Sequence, residues 1–339
     1  MAVTLKDVAL HAGVSPSTVS RTCKDHPSIS EETKEKVRRA MAELGYEPNF
    51  PAATPTSYNP RTIGIILPPS PRETYENAFY LEAIRGISAF CNQKQYANTI
   101  ITGNSEDELL SVIQSMTKTG QVDAFIVLYS RLDDPIINYL YSEGLLYVLI
   151  GKAYIFTNQT IYIDNDNVLA GQEATQYLIQ NGHQKIAYIG VDFRHMFSAD
   201  RKTGYQLAHV VNQLPLNPDW CLELPLKTKY HFDRIRQLLD TPDRPTAVVV
   251  SDDILAFTLK HVCMELGISI PEDLSIVSFN NSLIARLSNP QLTSIDINSN
   301  QLGIEAASQI INHMENPNLM ATKIIVPHQL VERDSCRSI

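Results

Sequence analysis

"VSPSTVSRTC" (residues 14–23) gathers small hydroxyl side chains, one proline and one arginine in a stretch about two helical turns long. Ser15 reads as an N-cap and Pro16 as the first helical residue. That pairing starts helices because the serine oxygen satisfies an orphan N–H and proline has none to orphan. Upstream, "TLKDVALHA" spaces Leu5, Val8, Ala9 and Ala12 along one helical face, and Gly13 ends the run. Downstream, a third helix from about Ser30 to Leu44 carries Val37, Ala40, Met41 and Leu44 on its apolar side, and Gly45 stops it. The middle helix buries Val19 and Cys23 and leaves Ser17, Thr18, Ser20 and Arg21 on its other faces. Helix, glycine turn, slim polar helix and supporting helix make a helix-turn-helix pattern.

Slimness is the functional clue. A helix enters the major groove, roughly 12 Å wide, only if its groove face is thin. Serine and threonine hydroxyls reach phosphates and base edges in little space. Arg21 can grip guanine with two hydrogen bonds, worth about 1–3 kcal/mol of discrimination. The helix N-terminus adds a positive dipole end near phosphate. The competing reading is an ordinary capped surface helix. Against it stands a three-helix unit with its own small core, followed by "EPNFPAATPTSYNPR" (47–61), a linker with four prolines in fifteen residues.

From Thr62 the texture changes. "TIGIIL", "ANTIIT", "DAFIVLY" and "LLYVLIG" read as buried strands alternating with amphipathic helices, the rhythm of a doubly wound parallel sheet. After about residue 162 the rhythm repeats with "KIAYIG", "TAVVVSD" and "LSIVSFN"; "QLGIEAASQIINHM" is a further helix, and "KIIVPHQLVERDS" is expected to close the chain as one strand. Three units are predicted: a headpiece over 1–48, a hinge over 49–61, and a two-lobed clamshell over 62–339. The N-lobe is expected from about 62–162 plus 285–315, the C-lobe from about 163–284 plus 316–339. Ligand clefts in such folds lie at the carboxyl ends of the strands.

"TLKDVALHAGVSPSTVSRTCKDHPSISEETKEKVRRAMAELGYEPN" resembles the headpiece of the LacI/GalR family of bacterial transcription regulators. The remainder is similar to that family's periplasmic-binding-protein-like effector core, so the resemblance covers nearly the whole chain. Within the family, "NAFYLEAIRGI", "YSRLDDP", "IDNDN", "DRKTGY" and "IDINSNQLG" are most similar to the maltose-operon repressor branch of low-GC Gram-positive bacteria. The resemblance implies that Thr4 and Leu5 begin the first helix at the DNA, that Ser15 and Thr18 hold phosphates, and that Pro16, Ser17, Ser20 and Arg21 line the base-reading face. Tyr46 and Asn49 resemble residues at the start of the hinge. There the sequence departs. The family's hinge helix reads Asn-x-x-Ala-Arg-Ser-Leu, with the Leu wedged in the minor groove. Here Ala52 is kept, Ala53 replaces the Arg and Pro55 replaces the Leu, while Pro51 and Pro55 oppose a regular helix. A weaker or differently built hinge contact is expected.

A sugar site needs hydrogen-bonding groups around hydroxyls and flat apolar surface for the ring. Strand-end residues of those kinds are Phe79, Tyr80, Tyr129, Lys152, Asp164, Asp166, Asp252 and Asn280, with Arg201 opening a C-lobe helix and Phe193 as a stacking face. By resemblance, Arg201, Asp252 and Asn280 fall where the family grips effector hydroxyls. Asp164 and Asp166 read equally well as turn and helix-cap residues, Phe79 as core, and Tyr129 as lining a lobe interface. Arg201 is the strongest candidate, since an arginine facing the cleft has no evident structural duty in the sequence.

Composition bounds the rest. With 19% charged and 44% hydrophobic residues the chain is globular, and no run of about 18 apolar residues suggests a membrane span. "MAVTLKDVALHAG" places Lys6, Asp7 and His11 where a secretory signal would be apolar, so a cytoplasmic place, at the nucleoid when DNA is bound, is expected. Net charge is −9, yet the first 60 residues hold seven of 28 basic and seven of 37 acidic residues, so the remainder carries the whole deficit. Nucleic-acid contact must therefore come from local arrangement in the first segment. Cys23, Cys91, Cys221, Cys263 and Cys336 are scattered without a C-x-x-C pair, which supports neither disulfides nor zinc. "DNDNVL" fails as a calcium loop because Leu169 and Thr175 occupy the Gly and Glu positions. No phosphate loop, G-x-S-x-G or H-E-x-x-H occurs, so no enzyme activity, cofactor or metal is predicted. The expected partners are double-stranded operator DNA, a small sugar (maltose or a maltodextrin) and a second copy of the chain, with no membrane. A catabolite-control regulator using a phosphorylated carrier protein, or a sugar-binding protein without DNA function, are the alternative readings.

Overall fold

A computed structural model describes residues 3–23, 29–46, 61–69, 77–192, 194–224 and 231–339. The headpiece consists of α1 (Leu5–Ala12), α2 (Pro16–Cys23) and α3 (Glu31–Leu44). Thr4 and Asp7 form a reciprocal capping box that starts α1, and Gly13 and Gly45, both left-handed, end α1 and α3. Leu5, Val8, Val19 and Val37 are wholly buried where the three helices meet. Each such side chain contributes roughly 1.5–3 kcal/mol, which a unit this small needs in full.

The larger body continues with β1 (Thr62–Ile66), α4 (Ala78–Gln93), β2 (Ala97–Ile101), α5 (Glu106–Lys118), β3 (Ala124–Val127), α6 (Pro135–Ser142), β4 (Tyr147–Ile150) and β5 (Ile161–Asp164). It then runs through α7 (Asn167–Gln180), β6 (Ile186–Val191), α8 (Met196–Val211), β7 (Cys221–Leu224), α9 (His231–Leu239), β8 (Ala247–Val250), α10 (Asp253–Leu266) and β9 (Ser275–Phe279). The last elements are α11 (Leu283–Leu287), β10 (Thr293–Asp296), α12 (Ser299–Glu315), β11 (Lys323–Ile325) and β12 (Gln329–Val331). Two six-stranded sheets result, ordered β11-β5-β4-β3-β1-β2 and β12-β10-β9-β8-β6-β7. Every pairing is parallel except that of β12 with β10. Central strands such as "AFIV" and "AVVV" are buried throughout, as strands covered on both faces must be. Among the described residues, no helix is long and apolar enough to cross a membrane.

The lobe boundaries differ from the sequence expectation in three places. β5 ends at Asp164 in the N-lobe sheet, past the boundary expected near 162. The segment expected in the N-lobe from residue 285 is still C-lobe until Asp296, because β10 pairs in parallel with β9. The closing run is two strands: β11 pairs with β5 in the N-lobe, and β12 with β10 in the C-lobe. Pro327 lies between them, a residue with no N–H to give to either ladder. The chain therefore crosses between lobes at 164–167, 296–299 and 325–329.

One pair of glycines shapes the cleft floor. A methyl at Gly171 would lie 2.2 Å from the Arg201 carbonyl, and one at Gly204 would lie 2.0 Å from the Val168 carbonyl. Only glycine allows α7 and α8 to approach this closely, and the approach brings Arg201 beside Asn167.

Candidate functional site

The headpiece presents the hydroxyl cluster as expected, with two corrections. Ser15 Oγ accepts from Thr18 N at 3.1 Å, capping α2, and lies 2.7 Å from Ser17 Oγ and 2.8 Å from Thr18 Oγ1. Thr4 is exposed at the start of α1. Leu5 is wholly buried in the headpiece core, so its side chain serves packing and cannot reach DNA. Ser20 is 6% exposed, because α2 rests on the turn between α6 and β4. There a methyl at Gly144 would lie 2.9 Å from the Pro16 carbonyl and 3.4 Å from Ser20 Cβ. Arg21 lines the same junction. Lys6 Nζ lies 5.0 Å from the ring of Tyr141, which stacks on Phe156. Tyr46 is half-buried; burial, with help from the Glu143 carboxylate, pushes its phenol up to about 12. In this arrangement the Pro16, Ser20 and Arg21 side of α2 faces the N-lobe, while Ser15 and Ser17 stay exposed. Asn49, Ala52 and the rest of the proline-rich hinge up to residue 60 lie outside the described residues.

The interlobe cleft brings together seven of the predicted residues: Phe79, Tyr80, Tyr129, Asp164, Arg201, Asp252 and Asn280. Asn77 caps α4 by accepting from Phe79 N at 3.0 Å, which sets Phe79 and Tyr80 at the rim in an edge-on pair 5.2 Å apart. Arg201 is 3% exposed. Its Nε donates to Asn167 Oδ1 at 2.9 Å and its Nη1 to the Ser251 carbonyl at 2.6 Å. The guanidinium lies 4.2 Å from the Phe279 ring and 4.9 Å from the Phe197 ring. Burial lowers its pKa to about 10. Arg201 therefore has structural duties that its place in the sequence did not suggest. Asp164 Oδ1 accepts from Asn165 N at 2.8 Å and Asn167 Nδ2 at 3.0 Å. Burial pushes its carboxyl up to about 7, against the pull of the Asn165 N–H and the Arg201 charge. Asp252 caps α10 through Leu255 N and is also shifted up by burial.

Three predicted residues do not join this set. Asp166 is an exposed helix cap, its Oδ1 accepting from Leu169 N at 2.9 Å, so the capping reading holds for it. Lys152 turns away from the cleft lining to pair with Asp200 on α8 at 3.0 Å. Phe193 lies outside the described residues, and Phe197, four positions on, lines the cleft. Sequence reasoning missed Asn77, Ser130, Asn165, Asn167, His195 and Phe197. The two asparagines stood in the quoted "IDNDN" but were passed over for the carboxylates beside them.

The lobes touch across the cleft mouth. Arg131 and His195 form an isolated antiparallel bridge, with Leu132 N donating to the Arg194 carbonyl at 2.9 Å and Met196 N to the Ser130 carbonyl at 3.3 Å. The Lys152–Asp200 pair lies on the same side of the hinge and also spans the lobes. Burial lowers His195 to about 4, which keeps its imidazole neutral at pH 7. The enclosed space is about 90 Å3. That is below the roughly 300 Å3 at which pockets begin to enclose drug-sized ligands. Among the described residues, no group of three or more His, Cys, Asp or Glu is placed to share a metal ion.

Comparison with known proteins adds to this geometry. Residues 4–49 match the family described as bacterial regulatory proteins, lacI family, and residues 175–336 match a periplasmic binding protein-like domain. The chain is 35% identical to the HTH-type transcriptional regulator MalR of Staphylococcus xylosus over 337 residues, 99% of each chain. It is 34% identical to the regulator of the same name from Streptococcus pneumoniae, covering 98% of this chain and 100% of that one. A solved complex of the transcriptional regulator CelR with cellobiose superposes with a TM-score of 0.77 at 26% identity, covering 98% and 99% of the two chains.

Proposed function

The chain belongs to the LacI family of bacterial regulatory proteins, and on that premise we propose that it is a homodimeric repressor of a sugar-utilisation operon whose effector, maltose or a maltodextrin, binds in the interlobe cleft. The observation that carries this reading is the cleft lining itself. The aromatic faces of Phe79, Tyr80 and Phe197 surround a floor of amides and carboxyls ordered around Arg201. Apolar ring faces and fixed hydrogen-bonding groups are what a neutral sugar requires. Of the charged groups facing the space, the Asp164 and Asp252 carboxyls outnumber the Arg201 guanidinium, which disfavours a phosphorylated sugar.

The closed geometry supports one regulatory step. A disaccharide does not fit into about 90 Å3, so seating it parts the lobes at the Arg131–His195 bridge. The lobe angle sets the separation of two headpieces, and two recognition helices must stand about one turn of DNA apart to read a pseudo-palindrome. Effector and operator thus favour different lobe angles, and each shifts the population away from the other. A second copy has a suitable apolar face on the C-lobe, where Phe257 and Met264 of α10 and Leu283 and Leu287 of α11 are exposed on adjacent helices.

Calorimetry tests the effector assignment. Maltose or maltotriose should give saturable heat, and sucrose, galactose and ribose should not. Silence with both maltose and maltotriose would remove the maltose assignment.

A further inference from the structure

Three stretches of chain cross between the lobes, and one side chain joins all three. Asn165 sits on the first crossing and is 4% exposed. Its Nδ2 amide donates to the Ile297 carbonyl at 3.0 Å, on the second crossing, and to the Val326 carbonyl at 2.8 Å, on the third. Two further contacts reinforce the junction: Val326 N donates to the Asp164 carbonyl at 2.8 Å, and Asn298 Nδ2 donates to the Pro327 carbonyl at 2.8 Å.

The junction is wired to the cleft floor. The Asn165 backbone N–H donates to Asp164 Oδ1, the same oxygen accepts from Asn167 Nδ2, and Asn167 Oδ1 accepts from Arg201 Nε. An unbroken run of hydrogen bonds therefore leads from the three crossings to the guanidinium that orders the cleft. Arg201 closes the run on the C-lobe side through the Ser251 carbonyl.

Chemistry restricts what can stand at position 165. Two carbonyl oxygens on separate crossings need two donors from one short planar group, which a primary amide supplies. A carboxylate there would face two carbonyl dipoles with no proton to offer. An alanine would leave both carbonyls buried and unpaired.

We propose that Asn165 is a positioning residue that sets the lobe angle and passes cleft occupancy at Arg201 to the hinge. This rests on the cleft being the effector site, as argued above. A hydrogen-bonded run whose members hold one arrangement in one lobe angle and another in the other is the kind of two-state element that coupling between sites requires.

The test uses the full-length chain with Asn165→Asp and Asn165→Gln. The glutamine keeps both donors but sets them one methylene further out, so it remains informative if the aspartate fails to fold. Three quantities are read: maltose affinity by calorimetry, operator affinity with and without saturating maltose, and an interlobe distance in the ligand-free protein. The distance comes from spin labels at Asp107→Cys and Asp233→Cys, both exposed and on opposite lobes, with the half-buried Cys23, Cys221 and Cys336 changed to serine. In both variants the maltose effect on operator affinity, read at a maltose concentration that saturates each variant, should shrink by about fivefold or more. The interlobe distance distribution should shift or broaden. A variant with the wild-type maltose effect and the wild-type distance distribution overturns the proposal. So does an equal loss in all affinities with an unchanged distance distribution, which is what a purely structural role predicts. If the wild type itself ignores maltose, the effector reading fails, and the ligand-free distances still decide the role of Asn165.

Discussion

Replacing Asp164 with Asn should flatten a specific part of the stability–pH curve. The carboxyl is 8% exposed, and burial lifts it from an ordinary 3.8 to about 7. Arg201 and Lys152 oppose that rise and Asp200 adds to it. The sign follows from proton counting. Between the two values the folded protein keeps a proton that the unfolded chain has released, so stability falls as pH rises through the window and levels off above about 7. From pH 5 to pH 7 the window spans two units at about 1.4 kcal/mol each, so this group alone costs about 2.7 kcal/mol. Asparagine keeps the oxygen that accepts from Asn165 and Asn167 and cannot ionise. Urea unfolding followed by the single tryptophan, Trp220, at pH 5, 6, 7 and 8 measures both proteins under matched conditions. The variant's stability relative to wild type should rise by about 2–3 kcal/mol across that range. Parallel curves would show that Asp164 is already ionised in the folded protein and would refute the reasoning.

Three further perturbations separate the DNA face from the cleft. Arg21→Ala should weaken operator binding by about 1–3 kcal/mol and relax base preference at one position per half-site, as read by binding to a panel of single-base operator variants; an unaltered profile would remove Arg21 from base reading. Arg201→Ala leaves Asn167 and the Ser251 carbonyl without their donor and removes a cation near Asp164 and Asp252. It should lower unfolding free energy by about 3–5 kcal/mol and abolish maltose heat while the headpiece still binds DNA; retained maltose heat would contradict the cleft assignment. Gly144→Ala puts a Cβ 2.9 Å from the Pro16 carbonyl at a left-handed φ of 61° and so works against the docking of α2. Operator affinity of the ligand-free variant should rise relative to wild type, and an unchanged affinity would show that α2 does not rest there.

The headpiece was legible because its signals are local: apolar spacing, a serine–proline start and two glycine stops act within a few residues of one another. The cleft was half legible. Topology alone puts strand ends at the cleft, which is why Tyr129, Asp164, Asp252 and Asn280 were found from their positions. Which way each side chain turns is a matter of tertiary contact, and there Lys152 chose Asp200 and Asp166 chose its own helix. Arg201 was found from its helix position, but its reason for being there rests on a glycine-mediated approach of two helices that no periodicity reports. Lobe membership of β10 and β11 depends on partners distant in sequence, and a strand's own residues do not name its neighbour. The closing run reads as one strand, and only the register shows that it divides at Pro327 into two strands of different lobes.

The most direct test of the account is fluorescence anisotropy of the full-length protein on a duplex from the promoter beside its own gene and on a shuffled duplex of equal length and composition, at one ionic strength, with and without maltose. The account predicts that the promoter duplex binds about a thousandfold tighter or better, and that maltose weakens this binding by about fivefold or more. Equal affinity for the two duplexes in both conditions would contradict it.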